Sequence, residues 1–334
     1  MSELTKIDPA YSTTRHLRKI APEVVAAELE AAHKPEDRFE TILFQPFATG
    51  YKCEGGLRAK GYFKKNSEKR PLVTVITVVF NGEKHLEETI LSVINQIYDN
   101  VEYIIIDGGS TDRTLDIVRK YEHTIDYWIS ERDTGIYNAM NKGIHLATGG
   151  IIGLVNADDA IYPKTLANVV KALTEKSEVG FTIAPVELAH ENGDVFGMTS
   201  PLADNEIVER MWGEMPSHHL GIFVKIDLYK KLGYFKEKYR LRADYEFLLR
   251  LLLSEIKYAR LDQPVGFFRA GGQSGGLRTW LETRQLLSDY DRPRSEIEYG
   301  FVSSIAKMIA AHVLPNFLIK QLKKVNSKSK HKYY

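Results

Sequence analysis

The sequence predicts an α/β fold built on a parallel, doubly wound sheet. Two observations lead to this prediction. Between residues 72 and 155 the hydrophobic period switches repeatedly between that of a strand and that of a helix. The strand-like runs are nearly continuous and rich in β-branched residues, which is typical of strands buried on both faces. Strands that alternate with helices in this way pair in parallel, with helices on both faces of the sheet.

The individual elements follow from the same pattern. Strands are predicted at residues 72–79, 103–106, 125–129 and 151–155. Asn81 is the predicted cap of the first helix, whose apolar residues recur at helical spacing up to Ile97. A second helix places Leu115 and Val118 inward, and a third begins near Ile136. An Asn192-Gly193 turn between residues 181–188 and 195–198 predicts a β-hairpin.

Three regions are expected along the chain. Residues 1–70 form an N-terminal extension of uncertain structure with one helix at residues 22–33, and the basic stretch 64–71 is interpreted as a linker. Residues 71–278 form the main domain. Residues 279–334 are predicted to be helical and to end in a lysine-rich tail.

Composition excludes several classes of protein. The 334 residues carry 45 Lys+Arg against 44 Asp+Glu, a net charge of +1, so no nucleic-acid partner is indicated. A single cysteine, Cys53, excludes an internal disulfide framework and a multi-cysteine metal site. The polar first residues predict a cytoplasmic protein. The best candidate span, residues 301–319, is interrupted by Lys307, His312 and Pro315, which argues against a membrane crossing.

Two adjacent acids follow the last predicted strand of this series. Asn156-Ala157-Asp158-Asp159 comes directly after the apolar run 151–155. Adjacent carboxylates at the end of a buried strand are costly unless a cation or hydrogen-bond donors meet them. A divalent cation fits, and such an oxygen site usually goes with a phosphate-bearing substrate. The alternative is a polar loop that caps a helix.

Polar groups from distant stretches share one edge of the predicted sheet. Asn81, Asp107 and Asp158 all stand at the carboxyl ends of strands, where open α/β sheets bind ligands. No G-x-G-x-x-G fingerprint and no G-x-x-x-x-G-K-[ST] loop is present. A phosphate ligand would therefore be held through a metal, which indicates a nucleotide-sugar site.

These residues carry a family resemblance. Val78-Val79-Phe80-Asn81, Asp107-Gly108-Gly109-Ser110-Thr111-Asp112 and Asn156-Ala157-Asp158-Asp159 resemble the motif series of family 2 glycosyltransferases with the GT-A fold. Residues 130–143 resemble a stretch of bacterial polysaccharide glycosyltransferases. The resemblance covers roughly residues 72–275. It implies a Rossmann-like, mostly parallel sheet, with a donor half at about 71–160 and an acceptor half at about 161–278.

The resemblance also implies a donor site. Its expected members are Phe80, Asn81, Asp107, Asp133, Asn141, Asn156, Asp158 and Asp159. Asp107 would accept a hydrogen bond from the base, expected to be uracil, while Phe80 borders that base and Asn81 shapes the turn. Asp158 would bind Mn²⁺ or Mg²⁺ that bridges the diphosphate, and Asp159 would share that duty or bind the sugar. Asn156 replaces the first acid of the family motif and would bind a ribose hydroxyl.

An acid at the start of an apolar helix is the expected catalytic base. Asp244 matches the family's base, which takes the proton from the attacking hydroxyl. Its alternative role is to favour the helix dipole. Glu246 is expected to support Asp244, to contact acceptor or diphosphate, or to pair with Arg250 at helical spacing. His219 is the expected contact to diphosphate or acceptor. Gly271-Gly272-Gln273-Ser274 resembles a loop that closes over the donor.

The function implied is an inverting, metal-dependent transfer of one sugar from a UDP-sugar to a saccharide acceptor, one carried on a polyprenyl diphosphate. The Q-x-x-R-W motif of processive synthases is absent, which favours single-sugar addition. Two alternatives stay open: a sugar-1-phosphate nucleotidyltransferase and a non-catalytic nucleotide-sugar-binding protein. The basic C-terminal tail is expected either to contact the membrane surface or to follow a helix packed on the domain.

Overall fold

The computed structural model describes residues 10–46, 50–271 and 277–298. The strands are Arg18–Lys19 (β1), Tyr51–Gly55 (β2), Tyr62–Phe63 (β3), Val73–Val79 (β4), Val101–Asp107 (β5), Tyr127–Glu131 (β6), Ile151–Leu154 (β7), Ala160–Ile161 (β8), Val179–Ile183 (β9), Val186–Ala189 (β10), Val195–Thr199 (β11), Phe223–Lys225 (β12), Lys257–Arg260 (β13) and Gly266–Arg269 (β14). The α-helices are Pro22–Ala31 (α1), Leu86–Ile94 (α2), Thr114–Lys120 (α3), Ile136–Leu146 (α4), Thr165–Glu175 (α5), Asp204–Arg210 (α6), Ile226–Leu232 (α7), Ala243–Leu253 (α8) and Leu277–Asp289 (α9).

Two compact units divide the chain, Met1–Gly271 and Gly272–Tyr334. The first contains β1 to β14 and α1 to α8, and α9 belongs to the second. No helix in the described ranges is long and apolar enough to cross a membrane. The predicted apolar face at residues 305–318 and the lysine-rich tail lie outside the described residues, as do Gly272, Gln273 and Ser274.

An eight-stranded sheet with the order β13-β9-β12-β7-β4-β5-β6-β2 forms the centre of the first unit. Strands β7, β4, β5 and β6 pair in parallel, which confirms the predicted parallel core. The sheet is mixed at its flanks, because β12 and β2 pair antiparallel to their neighbours. Register aligns Val79 with Asp107, so the residues after β4 and β5 emerge at one edge.

Sequence explains why the middle of this sheet is buried. All seven residues of β4 and all seven of β5 are buried, as their continuous apolar runs predict. Helix α4 crosses β4 and β5 closely, because Gly143 leaves no side chain where Ile76 packs. The buried face of α2, which includes Leu86, Ile90 and Val93, belongs to the same core.

The predicted capping role of Asn81 is wrong. Helix α2 begins at Leu86 with His85 at the N-cap position, so a turn separates Asn81 from the helix. Asn81 adopts a positive φ of 51°, which Asn tolerates better than most residues. Its side-chain Oδ1 accepts a hydrogen bond from the Thr111 N–H at 2.9 Å. Asn81 therefore shapes the turn after β4, as the family resemblance implies.

A second sheet has the strand order β11-β10-β14-β8. Strands β10 and β11 pair antiparallel, and the Asp194 N–H donates to the Asn192 side chain in the turn, which confirms the hairpin. The predicted continuous flank 181–188 is divided, because β9 joins the central sheet and β10 the second one. All four strands of the second sheet therefore follow the acidic loop in the chain.

The N-terminal segment is built into the first unit. Strand β2 pairs with β6 at the edge of the central sheet, and α1 confirms the predicted helix, ending two residues earlier than expected. Arg58 is buried and donates to Glu102 at 2.7 Å. Lys64, the first residue of the stretch interpreted as a linker, is buried against Asp126. The N-terminal extension, residues 1–70, therefore supplies one strand of the central sheet and two buried cations.

Candidate functional site

The acidic loop follows β7 directly. Val155 continues the strand by donating its N–H to the Ile76 carbonyl at 3.0 Å, and the Asp159 N–H closes a turn onto the Asn156 carbonyl. Asp159 is fully buried. Neither of its carboxylate oxygens, nor Oδ1 of Asn156, accepts a well-formed hydrogen bond within the described chain. Burial raises the pKa of Asp159 to about 6, although the His219 imidazole opposes this.

One imidazole lies among three acids. Nε2 of His219 is 3.4 Å from Oδ2 of Asp159 and 3.0 Å from Nδ2 of Asn156. Burial disfavours the charged imidazole, but the close contact and charge of Asp159, with the charges of Asp244 and Asp158, raise the pKa of His219. Asp159 and Asp244 are 85 positions apart in the sequence. The structure therefore brings Asp158, Asp159 and Asp244 into one charged neighbourhood.

The neighbouring histidine, His218, differs from His219 in the direction of its pKa shift. Burial, followed by the charge of His219, lowers the pKa of His218 to about 2, so its ring is neutral. Its Nδ1 accepts the Leu220 N–H at 3.4 Å, and its ring packs on Phe268 at a centroid distance of 4.6 Å. His219 is thus the member of the pair that meets the acids.

Asp244 is the second residue of α8. Its Oδ1 accepts a hydrogen bond from the Tyr137 hydroxyl at 2.8 Å and another from the Tyr245 N–H at 2.8 Å. Glu246 is fully buried and pairs with Arg250 at 2.9 Å and Lys236 at 2.8 Å. The predicted Glu246–Arg250 pair is confirmed. The expected contact of Glu246 with acceptor or diphosphate gains no support, because the carboxylate is engaged in these ion pairs.

An exposed aromatic ring and a carboxylate lie together at the ends of β4 and β6. Phe80 directly follows β4 and is 64% exposed, although the strand before it is buried. A side chain at Gly108 would come within 2.5 Å of Asp133 Oδ2 and 3.5 Å of the Phe80 ring. Burial raises the pKa of Asp133, while the Gly135 N–H, which donates to it at 2.9 Å, acts against this shift. The glycine keeps this space open.

Asp107, the acid expected to recognise the base, is the last residue of β5. It is 1% exposed, and its carboxylate accepts hydrogen bonds from Ser130 at 2.6 Å, from the Gly109 and Ser110 N–H groups at 3.1 and 3.0 Å, and from the Ser110 hydroxyl. This geometry favours an organising role in the loop after β5. Asp133 is the carboxylate that lies beside Phe80.

Asn141 holds a loop. Its Oδ1 accepts the Phe235 N–H at 3.0 Å, and its Nδ2 donates to the Phe235 carbonyl at 3.0 Å and to Glu237 at 3.2 Å. Both polar ends of the side chain are thus bound to the segment that leads into α8. The structure gives no contact of Asn141 to Phe80 or the acidic loop, in contrast to the expected donor-site role.

Sequence reasoning missed two polar residues of the site. Tyr137 donates a hydrogen bond to Asp244. The sequence feature that could have indicated Tyr137 is its position, four residues after Asp133 within the motif at 130–143. Arg269 is 5% exposed, pairs with Glu88, and donates to the Asp158 carbonyl at 2.6 Å. No local pattern distinguishes Arg269, because its partners are more than a hundred residues away in sequence.

The oxygens of the acidic loop fit a hard divalent cation. Buried Asp159 and Asn156 oxygens without hydrogen bonds lie beside Asp158, and such oxygens are the ligands that Mg²⁺ and Mn²⁺ take. Among the described residues no group of three or more His, Cys, Asp or Glu side chains could hold a metal alone. A cation would therefore need further oxygens from a phosphate-bearing ligand, as is usual for Mg²⁺.

Relatives in sequence carry transferase names. An uncharacterized glycosyltransferase of Mycobacterium tuberculosis is 34% identical over 191 residues, which cover 55% of this chain and 70% of the relative. A PGL/p-HBAD biosynthesis glycosyltransferase of the same species is 30% identical over 65% of this chain and 83% of the relative. An uncharacterized glycosyltransferase of Haemophilus influenzae is 28% identical, and the match spans 60% of its length.

Solved structures show the same fold. Staphylococcus aureus TarS, residues 1–349, in complex with UDP-GlcNAc superposes with a TM-score of 0.52 at 18% identity, over 69% of this chain and 70% of that one. The mannosyltransferase PcManGT of Pyrobaculum calidifontis, in complex with GDP-Man and Mn²⁺, gives 0.53 at 18% identity over 93% and 88%. These likenesses confirm the GT-A fold.

The family assignment rests on the sequence matches. The family description "Glycosyl transferase family 2" matches residues 74–196, which run from β4 through the acidic loop to the hairpin. The M. tuberculosis relatives extend the match over most of their own length at 30% identity or more. With the strand-end acids and the GT-A topology in place, the chain belongs to the family 2 glycosyltransferases.

Proposed function

We propose that the chain transfers a single sugar from a UDP-sugar to a hydroxyl of a saccharide acceptor, with inversion at the anomeric carbon and with Mn²⁺ or Mg²⁺. The observation that carries this proposal is the neighbourhood of His219, where acids from the loop after β7 and from α8 act on one imidazole. A diphosphate-binding acid and a base must share one site for the acceptor to reach the donor sugar.

The base of the nucleotide would lie against Phe80. An exposed aromatic ring at a strand end is a stacking surface, and Asp133 beside it can accept a hydrogen bond from a ring N–H. Asn156, Asp158 and Asp159 would hold the cation. In support, the fold neighbours TarS and PcManGT carry UDP-GlcNAc and GDP-Man with Mn²⁺ in their crystals.

The reaction would then need one proton transfer by the protein. Asp244 takes the proton of the acceptor hydroxyl as its oxygen forms a bond to the anomeric carbon. The bond from that carbon to the diphosphate oxygen breaks on the opposite face, and its electron pair leaves with UDP. The cation, when bound, neutralises charge on the diphosphate. His219, which lies beside Asp159, would contact the diphosphate or the acceptor.

Substitution of Asp244 tests the assignment. A panel of UDP-sugars is incubated with full-length protein, saccharide acceptors and Mn²⁺, and UDP release is measured. Asp244→Asn should lower kcat by about 10²–10⁴-fold because the general base is lost, while UDP affinity stays nearly unchanged. Asp204→Asn is the matched control, because Asp204 also stands at the start of a helix but pairs with Arg260 outside the site.

Different results identify different errors. Undiminished UDP release by Asp244→Asn would disprove the base assignment. Tight UDP binding without UDP release from any donor would favour the non-catalytic alternative. The family assignment already disfavours a sugar-1-phosphate nucleotidyltransferase. Calorimetry of UDP binding to Asp158→Ala with and without Mn²⁺ tests the metal: the variant should lose the Mn²⁺-dependent part of the affinity, and retention of that part would contradict the role of Asp158.

The acceptor is proposed to be a saccharide carried on polyprenyl diphosphate, at the inner face of the membrane. This part rests on the sequence of the lysine-rich tail, in which closely spaced cations would attract anionic lipid. Flotation with anionic liposomes of the full chain and of a chain ending at Ile319 tests it. Only the full chain should float, and flotation of neither would remove the membrane contact.

A further inference from the structure

Asp244, the candidate catalytic base, accepts hydrogen bonds at only one of its two carboxylate oxygens within the described residues. Both hydrogen bonds that Asp244 accepts, from the Tyr137 hydroxyl and from the Tyr245 N–H, go to Oδ1 at 2.8 Å. Within the described residues, no hydrogen bond is formed with Oδ2. A carboxylate with two donors on one oxygen has a fixed rotation about its Cβ–Cγ bond, so the other oxygen points in one direction.

The Tyr137 hydroxyl is itself aimed by packing. Tyr137 is 7% exposed, lies in the first turn of α4, and packs its ring against Phe235 at a centroid distance of 5.6 Å. Asn141, one turn further along α4, binds both backbone polar groups of Phe235. The helix and the loop before α8 are therefore clamped around this tyrosine.

A second clamp joins the same two segments. Glu237 accepts hydrogen bonds from Thr134 at 3.3 Å and from Asn138 at 3.2 Å, in addition to the one from Asn141. Arg240 donates to the Thr134 carbonyl. These bonds fix the start of α4, which follows Asp133, onto the chain that leads to Asp244. The donor-side and base-side segments thus move together.

We propose that Tyr137 is the positioning residue of the base: its hydroxyl holds Oδ1 of Asp244, so that Oδ2 receives the proton of the acceptor hydroxyl. This inference rests on the proposed function, because it takes Asp244 as the base. Tyr137 donates a hydrogen bond and keeps its proton throughout.

Tyr137→Phe tests this role, because it keeps the ring that packs on Phe235 and removes only the hydroxyl. We expect kcat to fall about 10-fold, with the KM for the UDP-sugar and the UDP affinity unchanged. A purely structural tyrosine would lower thermal stability and would not lower kcat at constant KM and constant UDP affinity.

A matched pair elsewhere in the chain supplies the control. Tyr258 donates to Oδ1 of Asp204 at 2.9 Å, and Asp204 also begins a helix, so Tyr258→Phe removes the same kind of bond outside the site. Its kcat should match that of the wild-type protein. A kcat in Tyr137→Phe equal to that in Tyr258→Phe would overturn the inference.

A measurement without turnover separates this inference from the proposed function. Carbon-13 NMR of aspartate-labelled full-length protein follows the Asp244 carboxyl signal, assigned by its loss in Asp244→Asn. At one fixed pH the chemical shift of this signal should differ between Tyr137→Phe and wild type and should be the same in Tyr258→Phe and wild type. An unchanged chemical shift in Tyr137→Phe would disprove the positioning role. A changed chemical shift in a protein that releases no UDP would support the Tyr137–Asp244 bond and refute only the proposed transfer.

Discussion

The buried pair Arg58–Glu102 gives a quantitative test of how the N-terminal segment is joined to the sheet. The Arg58 guanidinium donates to Glu102 at 2.7 Å and to the carbonyls of Leu43 and Leu146 at 2.8 and 3.0 Å, and both charged side chains are at most 5% exposed. Burial raises the pKa of Glu102, but the Arg58 charge and hydrogen bonds from Thr148 and Thr74 outweigh it, so the pKa is lowered.

Arg58→Met should therefore leave a buried, ionised carboxylate without its cation. Removing one member of a buried pair costs about 3–5 kcal/mol of unfolding free energy. The two carbonyls lose a donor as well, which places the loss in the upper part of that range. Equilibrium unfolding in urea at pH 7, followed by tryptophan fluorescence, measures it. The deficit should shrink as the pH falls towards about 5, since protonation removes the unpaired charge.

Two further variants make the reasoning testable. Adding Glu102→Gln to Arg58→Met should restore about half of the loss, because the amide keeps an acceptor for the threonines but carries no charge. Arg113→Met is the surface control: Arg113 is 81% exposed and 3.4 Å from Glu83, so its loss should stay below about 1 kcal/mol. A loss of that small size in Arg58→Met, or a double variant no more stable than the single one, would refute the argument.

Two other predictions concern the site. Phe80→Ala should weaken UDP binding by about 5–150-fold in calorimetry, since stacking on an aromatic ring is worth about 1–3 kcal/mol per base. Ile97→Ala removes another exposed apolar side chain and should leave the affinity unchanged. Equal affinities of Phe80→Ala and wild type would exclude the stacking role. Asp159→Asn, measured with chelator present, should be as stable as wild type near pH 4 and more stable above pH 6, by on the order of 1–3 kcal/mol. The reason is that a folded-state pKa raised to about 6 costs stability as the pH rises through that value; an unchanged difference between pH 4 and pH 8 would contradict it.

Much of the donor half could be predicted from local sequence. The runs at β4, β5 and β7 and the helical spacing in α4 reproduce the observed elements within a few residues. Buried parallel strands are recognisable because both of their faces are apolar. The turn at Asn81 was misread, since an Asn before an apolar helix is also what a capping residue looks like. Nothing in the sequence distinguished a five-residue turn from a cap.

The candidate site was predicted less completely than the fold. Asp158, Asp159, His219 and Asp244 do share one neighbourhood, as their motifs indicated. The hydrogen bonds of Asp107 to its own loop, and those of Asn141 to Phe235, depend on segments that meet only in the folded chain. The sequence does not show whether a given Asp or Asn side chain binds a ligand or a backbone N–H group.

The sequence by itself determined the order of strands and helices, the placement of acids at strand ends and the family, because these depend on period and local motif. Only the tertiary structure decided which partner each polar side chain meets. Arg58 joins Glu102, Arg269 reaches the Asp158 carbonyl, and Tyr137 holds Asp244. Such pairs span 44 to 111 positions of sequence, and the burial that makes them strong exists only after the chain has closed around them.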